Sequence, residues 1–218
     1  HAAGLCHSDL STINGDRPRP MPMVLGHEAA GTVVETGPGV ADLARGDHVV
    51  CVFVPSCGHC SPCQEGRPAL CEPGFAANSA GTLLGGATRL SEIGGKPIHH
   101  HVGVSAFAEY AVVSRRSLVA IERDLPFAQA ALFGCAVITG VGAVVNTARV
   151  PPGSSVAVVG LGGVGLAFLL GALMSGARAV IALDRLPAKL ALARQLGATD
   201  AFDAGDPGVI ERLRAATK

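Results

Sequence analysis

A glycine-rich stretch in the second half of the chain most restricts the folds available to it. Residues 156–165 have the sequence VAVVGLGGVG, a β-branched run followed by the pattern G-x-G-G-x-G. Such glycines permit a tight turn and a close approach of the backbone to a pyrophosphate, which binds at the start of the next helix. An apolar helix is predicted over residues 166–175, and a second strand, residues 180–184, ends in an acid. The stretch therefore predicts the first half of a doubly wound parallel sheet that binds a dinucleotide.

Asp184, at the end of that second strand, favours NAD as the dinucleotide. A carboxylate at this place accepts hydrogen bonds from the adenosine ribose hydroxyls and repels the 2′-phosphate of NADP. Arg185 follows directly and weakens this preference, because its cation attracts the same phosphate. The next helix is Ala-rich, ends near Leu196 and precedes a third strand near residues 201–202, with a further helix beginning near Val209.

Composition and hydropathy exclude several classes of protein. Residues 156–174 carry no charge and are long enough for a membrane span, but their four closely spaced glycines favour strand, turn and helix, so no membrane association is expected. The 17 Lys and Arg balance 17 Asp and Glu, which argues against a nucleic-acid partner. The N-terminus has no cleavable signal pattern, and a cytoplasmic location is expected.

Two potential zinc ligands lie near the start of the chain. Cys6 is part of G-L-C-H-S-D and His27 is part of G-H-E, and a thiolate and an imidazole are donors that zinc takes. Asp9 and Glu28 lie beside them and can orient the imidazole or tune the metal. A third ligand would leave one position open for substrate, and Cys135, in an Ala-rich stretch, is a candidate. Taken singly, these residues also fit buried thiols and a surface imidazole.

Four further cysteines form the strongest metal signal. They follow the pattern C-x2-C-x2-C-x7-C on one polar loop: Cys57, Cys60, Cys63 and Cys71. Four thiolates at this spacing repel one another unless a cation lies among them, so a closed, structural zinc site is predicted. Two disulfides and an iron–sulfur cluster are the alternatives. Cys51 is assigned to core packing, and no role is assigned to four histidines: His59, His99, His100 and His101.

Short strands separated by Gly and Pro turns are typical of the first half of the chain. Residues 23–36 and 43–54 have strand-like runs, residues 105–121 are predicted to be a strand pair, and residues 75–103 a loop. A small β-barrel is therefore expected, followed by a helix, a short break and a second helix over residues 127–148. The predicted fold class is α/β with a β-barrel domain, divided into residues 1–140 and 141–218.

Together these motifs resemble the zinc-dependent medium-chain alcohol dehydrogenase family. G-L-C-H-S-D, G-H-E and G-C-A-V-I-T-G are similar to the segments with its three catalytic zinc ligands, and the four-cysteine loop to its structural zinc lobe. The resemblance implies a GroES-like catalytic domain followed by half of a Rossmann domain, one catalytic and one structural zinc, and NAD. The catalytic metal would be held by Cys6, His27 and Cys135, with Glu28 beside them. Coenzyme contacts are implied for His7, Thr139, Gly160, Gly162, Gly163, Val164, Gly165, Asp184, Arg185 and Lys189.

The resemblance also implies a reaction, the transfer of a hydride between an alcohol and NAD. Zinc would lower the pKa of the alcohol, and Ser8 is similar to the family's hydroxyl that accepts its proton. Many relatives have a His five positions after the first ligand, where this chain has Ser11, so the proton is expected to pass to water or to another base. The alternatives are a zinc- and nucleotide-binding protein without turnover and an iron–sulfur electron carrier.

The chain is expected to be a fragment of a longer enzyme. Its first residue is not Met, and relatives have further strands before the first motif, a second half of the coenzyme domain and a returning C-terminal segment. The fragment alone would keep the structural zinc, whose ligands are local, but would bind NAD weakly and turn over little. The full-length protein is expected to be a homo-oligomer that acts on a small alcohol or aldehyde.

Overall fold

The computed structural model describes residues 1–53 and 55–217, and it divides into two units, His1–Cys135 and Ala136–Lys218. Val54, the predicted end of the second strand region, and Lys218, the last residue of the sequence, lie outside the described residues. Each unit has its own sheets and its own apolar core.

The described residues of the first unit form two sheets from seven short strands. They are β1 (Ala2–Gly4), β2 (Met23–Val24), β3 (Glu28–Thr32), β4 (His48–Cys51), β5 (Leu90–Ser91), β6 (Pro97–His100) and β7 (Leu118–Ala120). The larger sheet has the order β1-β3-β4-β7 and is antiparallel throughout, whereas the smaller sheet has the order β2-β6-β5. The first unit is therefore rich in short strands, as the Gly and Pro spacing predicts.

The described residues of the first unit also form four short α-helices. They are α1 (His7–Ile13), α2 (Ser61–Gln64), α3 (Glu72–Ala80) and α4 (Phe127–Ala130), and 3-10 turns cover Pro68–Leu70, Arg115–Ser117 and Ala131–Gly134. At the start of α1 the backbone N–H of Cys6 donates to the carboxylate of Asp9, and the Asp9 N–H bonds back to the Cys6 carbonyl. This capping arrangement fixes the first turn of α1 relative to the end of β1.

Two predictions of local structure are wrong. Residues 75–103 are not a loop, because they contain most of α3 and the strands β5 and β6. Helix α3 begins where Sγ of Cys71 accepts the N–H of Gly74, and it ends at Gly81, whose left-handed φ is 68°. Residues 105–121 contain one strand, β7, and not a strand pair, since the side chain of Ser114 caps a 3-10 turn instead.

Three parallel strands with helices between them form the second unit. After α5 (Ala136–Gly142) and a π-helical extension (Ala143–Ala148) come β8 (Ser155–Val159), α6 (Gly163–Met174), β9 (Ala179–Asp184), α7 (Pro187–Gln195), β10 (Asp200–Asp203) and α8 (Val209–Ala216). The order is β10-β9-β8, and in the central strand β9 the side chains of Val180, Ile181 and Ala182 are fully buried. A central strand with a buried apolar run is typical of a parallel sheet, and the arrangement confirms the predicted half of a doubly wound fold.

The uncharged stretch at residues 156–174 folds as β8, a turn and α6, as predicted. Helices α5 and α6 pack closely at Gly140, because a Cβ there would collide with the carbonyl oxygen of Val164. Among the described residues no single helix is long and apolar enough to cross a membrane. One bent pair, Phe127–Gly134 with Ala136–Ala148, meets that test by length and composition alone.

Candidate metal centres and nucleotide-binding turn

The first unit brings together four potential metal ligands that lie far apart in sequence. One donor atom from each of Cys6, His27, Glu28 and Cys135 lies within 4.8 Å of all the others. Cys6 directly precedes α1, His27 precedes β3, and Cys135 follows the 3-10 turn at Ala131–Gly134. Cys6 is half-buried and the other three are buried. This set is called the mixed cluster below.

Two glycines make room for the mixed cluster. Gly4 lies opposite Glu28 in the β1–β3 pair, and a Cβ at Gly4 would collide with the Glu28 carboxylate. Gly134 packs on the carbonyl oxygen of Cys51 in β4, where a side chain would have no space. The backbone of Cys135 has φ of −137° and ψ of −78°, which interrupts the helical region at the ligand itself.

The buried carboxylate of Asp9 connects two of these ligands. Its Oδ2 accepts the N–H of Cys6 at 3.2 Å, and its Oδ1 accepts the N–H of Gly26 at 3.0 Å. The same Oδ1 lies 3.2 Å from Nδ1 of His27. A histidine held at Nδ1 by a carboxylate has its Nε2 free for a metal, which is how zinc-bound imidazoles are usually oriented.

His101 also lies against Asp9, although the sequence predicts no role for it. Its Nδ1 is 3.3 Å from Oδ1 of Asp9, and its ring meets that of His27 edge-on with centroids 5.4 Å apart. Burial lowers the pKa of His101 to about 4, so its imidazole is neutral at pH 7. The strand β6 ends at His100, so the alternation of side chains along an extended chain stops before His101. The alternation of side chains along a strand therefore does not determine where the His101 ring lies.

The donors of the mixed cluster fit a zinc ion. Burial raises the pKa of the Cys135 thiol, and the nearby thiol of Cys6 and carboxylate of Glu28 raise it further. These acidic groups can be ionised together only if a cation balances them. Two thiolates and one imidazole are a donor set found in zinc sites that keep a position open for substrate.

The four-cysteine loop forms a second cluster, called the four-thiol cluster below. The Sγ atoms of Cys57, Cys60, Cys63 and Cys71 all lie within 4.8 Å of one another, and each thiol is free. Its ligands are positioned by the short helix α2, the 3-10 turn before the last cysteine, and the start of α3.

Backbone amides point at the sulfur atoms of the four-thiol cluster. Sγ of Cys57 accepts the N–H of Cys60 at 3.3 Å, and Sγ of Cys71 accepts the N–H groups of Cys57 at 3.2 Å and Gly74 at 3.3 Å. Backbone N–H donors, with that of His59 the strongest, lower the pKa of Cys57 to about 6, whereas burial raises that of Cys63 to about 11. Complete ionisation of the four therefore needs a cation, which fits a closed zinc site.

The glycine-rich turn of the second unit leaves its backbone open to a ligand. Gly160 has a left-handed φ of 88°, and a Cβ at Gly165 would collide with the carbonyl oxygen of Gly160. A Cβ at Gly162 would meet no atom of the described residues within 4 Å, so there is free space beside the turn at this position. Gly163 and the exposed Val164 begin that helix, whose first N–H groups can receive a phosphate.

The side chain of Asp184, at the end of β9, forms hydrogen bonds that hold the glycine-rich turn in place. Its Oδ2 accepts the N–H of Leu161 at 2.8 Å, and its Oδ1 accepts the N–H of Leu186 at 3.0 Å. These backbone donors, helped by Lys189 with Nζ 3.7 Å away, hold the pKa of Asp184 below its ordinary value. The contact of Asp184 with a ribose stays a prediction. The next residue, Arg185, is exposed.

The remaining predicted residues lie at helix starts or on helix surfaces. Ser8 is half-buried in the first turn of α1, and its Oγ accepts a hydrogen bond from Nη1 of Arg17 at 3.4 Å. His7 is exposed beside it, and Thr139 is exposed on α5. The proton, pyrophosphate and nicotinamide contacts implied for these three residues stay predictions.

The two clusters are expected to respond differently to the loss of a ligand. Cys63→Ser should release the metal of the four-thiol cluster and lower thermal stability, because a closed site fixes its loop. Cys135→Ser should remove about one zinc ion per chain with a smaller effect on stability. Zinc content and thermal unfolding of both variants measure the difference. Equal losses of zinc with unchanged unfolding temperatures would contradict the assignment of the two clusters.

Asp9 is expected to control zinc affinity without binding the metal itself. Asp9→Asn keeps the size of the side chain but removes the charge that holds His27, so zinc affinity at the mixed cluster should fall about 10- to 100-fold. Competition with a chelator measures this affinity, with Asp16→Asn, an exposed carboxylate after α1, as the matched control. If Asp9→Asn retained zinc as the wild type does, the orienting role of Asp9 would be wrong.

Two protein families match the chain. Residues 1–123 match the family described as alcohol dehydrogenase GroES-like domain, and residues 163–218 match the family described as zinc-binding dehydrogenase. The first match covers the mixed-cluster residues before Cys135 and the whole four-thiol cluster, and the second begins at Gly163, inside the glycine-rich turn, and includes Asp184. Zinc chemistry, rather than an iron–sulfur cluster, is the chemistry of the matched families.

Curated relatives include dehydrogenases of one-carbon adducts. S-(hydroxymethyl)glutathione dehydrogenase of Synechocystis sp. is 46% identical over 204 residues, which cover 93% of this chain and 55% of that protein. The protein of the same name in Escherichia coli is 45% identical over the same length. The chain thus spans about half the length of the curated relatives it matches.

Solved structures give the same answer for the fold. An alcohol dehydrogenase zinc-binding domain protein from Burkholderia ambifaria has a TM-score of 0.94 at 40% identity, covering 99% of this chain and 58% of that one. Benzyl alcohol dehydrogenase from Acinetobacter calcoaceticus has a TM-score of 0.87 at 35% identity, with the same two coverages. Because the family match, the fold and the clustered ligands all agree, the chain belongs to the zinc-dependent medium-chain alcohol dehydrogenase family.

Proposed function

We propose that the protein oxidises a small alcohol to an aldehyde or ketone, and catalyses the reverse reaction, by transferring a hydride to or from NAD. The observation that carries the proposal is the mixed cluster, in which Cys6, His27 and Cys135 meet in a buried place beside a carboxylate. The chain belongs to a family of zinc-dependent alcohol dehydrogenases, which supports the same reaction.

Within the mixed cluster each residue has a separate task. Cys6, His27 and Cys135 would hold zinc, and when bound the ion supplies a Lewis acid that lowers the pKa of an alcohol hydroxyl. Asp9 keeps the imidazole of His27 turned toward the cluster through its contact at Nδ1. Glu28 adds a carboxylate within 4.8 Å of the other donors, which increases the negative potential around the site.

Ser8 is proposed to accept the proton of the alcohol. It lies two residues after Cys6, in the first turn of α1, and its hydroxyl can accept one proton while giving up its own. Ser8 is half-buried, so its hydroxyl can exchange a proton with water directly. Ser11, in contrast, is only 8% exposed and is less accessible for this exchange.

The glycine-rich turn is proposed to bind the coenzyme. The open backbone at Gly162 and the first N–H groups of α6 suit a pyrophosphate, and the Asp184 carboxylate suits the ribose hydroxyls of NAD. When bound there, NAD would supply the acceptor for the hydride. Lys189 and Arg185 are the cations closest in sequence to this carboxylate, and Lys189 already contacts it.

The substrate is proposed to be a primary alcohol or the corresponding aldehyde. One group of relatives carries the name S-(hydroxymethyl)glutathione dehydrogenase and one structural neighbour is a benzyl alcohol dehydrogenase, so the shared feature of the named substrates is a hydroxymethyl group. A homo-oligomer in the cytoplasm is proposed as the working form. A zinc- and nucleotide-binding protein without turnover is the second candidate.

The reaction is tested with Ser8→Ala in the complete, zinc-loaded protein. NAD-linked oxidation of benzyl alcohol should fall about 10²- to 10⁴-fold, because the proton acceptor is lost, while zinc content is unchanged. Ser61→Ala, an exposed serine of α2, is the matched control. A wild-type protein with full zinc and NAD binding, but no oxidation of any alcohol tested, would support the protein without turnover instead.

Coenzyme choice is tested at Asp184. Asp184→Gly removes the ribose acceptor and frees Arg185 for a 2′-phosphate, so the preference for NAD over NADP should fall about tenfold or more. The control is Asp203→Gly, since Asp203 pairs with Asp184 in register at the end of β10. Dissociation constants for both coenzymes measure the change, and a wild-type preference for NADP would refute this role.

The same variant is expected to weaken the turn. Because the pKa of Asp184 is lowered in the folded state, its stabilising effect is present above the unfolded pKa, about 4, and is lost as the pH falls through the folded value. The difference in unfolding temperature between wild type and Asp184→Gly should therefore be larger at pH 7 than at pH 3.

A further inference from the structure

Arg17 lies beside the serine to which the proposed function assigns the alcohol proton. Its Nη1 donates to Oγ of Ser8 at 3.4 Å, although the two residues are nine positions apart. The guanidinium is exposed, so a ligand arriving at Ser8 can reach it. Among the residues that the structure describes, no other Lys or Arg side chain forms a hydrogen bond with Ser8.

The loop after α1 holds Arg17 in this place. Its backbone N–H donates to the carbonyl oxygen of Ser11 at 2.8 Å, which turns the chain back toward the helix. Asn14 and Asp16 bond to each other through side chain and backbone, and Gly15 between them has a left-handed φ of 83°. The turn over residues 14–17 therefore places the guanidinium of Arg17 near the first turn of α1.

Arg17 has no carboxylate partner within the described parts of the chain. The adjacent Asp16 directs its Oδ2 to the amide of Asn14 at 2.8 Å. By contrast, Arg115 forms an ion pair with Asp42 at 2.6 Å, and Arg212 forms one with Asp206 at 2.8 Å. The Arg17 guanidinium therefore keeps most of its five donors available for an outside anion.

We propose that Arg17 binds an anionic group of the substrate, so that the preferred alcohols carry a carboxylate a short distance from the hydroxymethyl carbon. The proposal rests on the proposed function, because it takes the alcohol to lie at Ser8. A hydroxyl bonded to Ser8 and a carboxylate bonded to Arg17 lie at most about 9 Å apart. Short hydroxy acids of about three to six carbons satisfy this limit, and a guanidinium matches a carboxylate with two parallel hydrogen bonds.

The test compares two substrates that differ only in the distal group. These are 4-hydroxybutyrate, which ends in a carboxylate, and 1,4-butanediol, which ends in a neutral hydroxymethyl group. Both are supplied to the complete, zinc-loaded protein with NAD, and kcat/KM is measured for the wild type, Arg17→Leu and Arg17→Lys. Arg45→Leu, an exposed arginine in the turn between β3 and β4, is the matched control.

The wild type is expected to prefer 4-hydroxybutyrate. In Arg17→Leu the ratio of the two kcat/KM values should fall about 10- to 100-fold, as the loss of a charge-assisted contact requires. Arg17→Lys should keep part of the preference because the charge remains without the paired donors. Arg45→Leu should keep all of it. An equal loss for both substrates in Arg17→Leu would overturn the proposal, since Arg17 would then act only through Ser8.

Failure of this inference differs from failure of the proposed function. Oxidation of 1,4-butanediol with no preference for 4-hydroxybutyrate in the wild type overturns the role of Arg17 and leaves the dehydrogenase intact. Oxidation of neither compound counts against the proposed function. In that case calorimetric binding of 4-hydroxybutyrate decides, because binding that weakens in Arg17→Leu supports the anion contact and its absence in the wild type overturns it.

Discussion

The mixed cluster depends on one buried carboxylate, that of Asp9. A carboxylate removed from water is strongly unfavourable unless hydrogen bonds replace the lost solvent, and here the replacements come from Cys6, Gly26 and His27. The groups that satisfy the charge are thus two of the metal ligands themselves and the residue directly before one of them. The start of α1, the segment before β3 and two of the metal donors are thus held by a single anion.

Much of the site was predictable because its signals lie in consecutive residues. The four-thiol cluster needs only a loop of fifteen residues, Cys57 to Cys71, and the glycine-rich turn needs a strand, a turn and a helix in direct succession. In both, steric and chemical constraints act between near neighbours, so the residue spacing alone contains the information. The strand order of the second unit follows from the same local rules for parallel connections.

The residues that sequence reasoning missed act across long separations or at the ends of elements. His101 reaches Asp9 only because β6 stops at His100, and no local pattern marks the exact end of a strand. In the sequence Arg17 has no distinguishing pattern around it. Only the turn after α1 places its guanidinium beside Ser8. The many glycines of residues 75–103 predict a loop, although the region contains most of a short helix, α3. The start of α3 is fixed by the thiol of Cys71. In each case tertiary contacts, and not propensity, decide the structure.

The different spans of the two metal clusters have a consequence for the order in which the protein matures. The entropy lost when ligands are brought together grows with the length of chain between them. The four-thiol cluster spans fifteen residues, from Cys57 to Cys71, whereas the chain from Cys6 to Cys135 spans 130. The four-thiol loop can take up its metal as soon as it leaves the ribosome. The mixed cluster can form only after β1, β3 and the Ala131–Gly134 turn have assembled. A chain arrested in synthesis between Cys71 and Cys135 would therefore bind the metal ion of the four-thiol cluster and lack that of the mixed cluster.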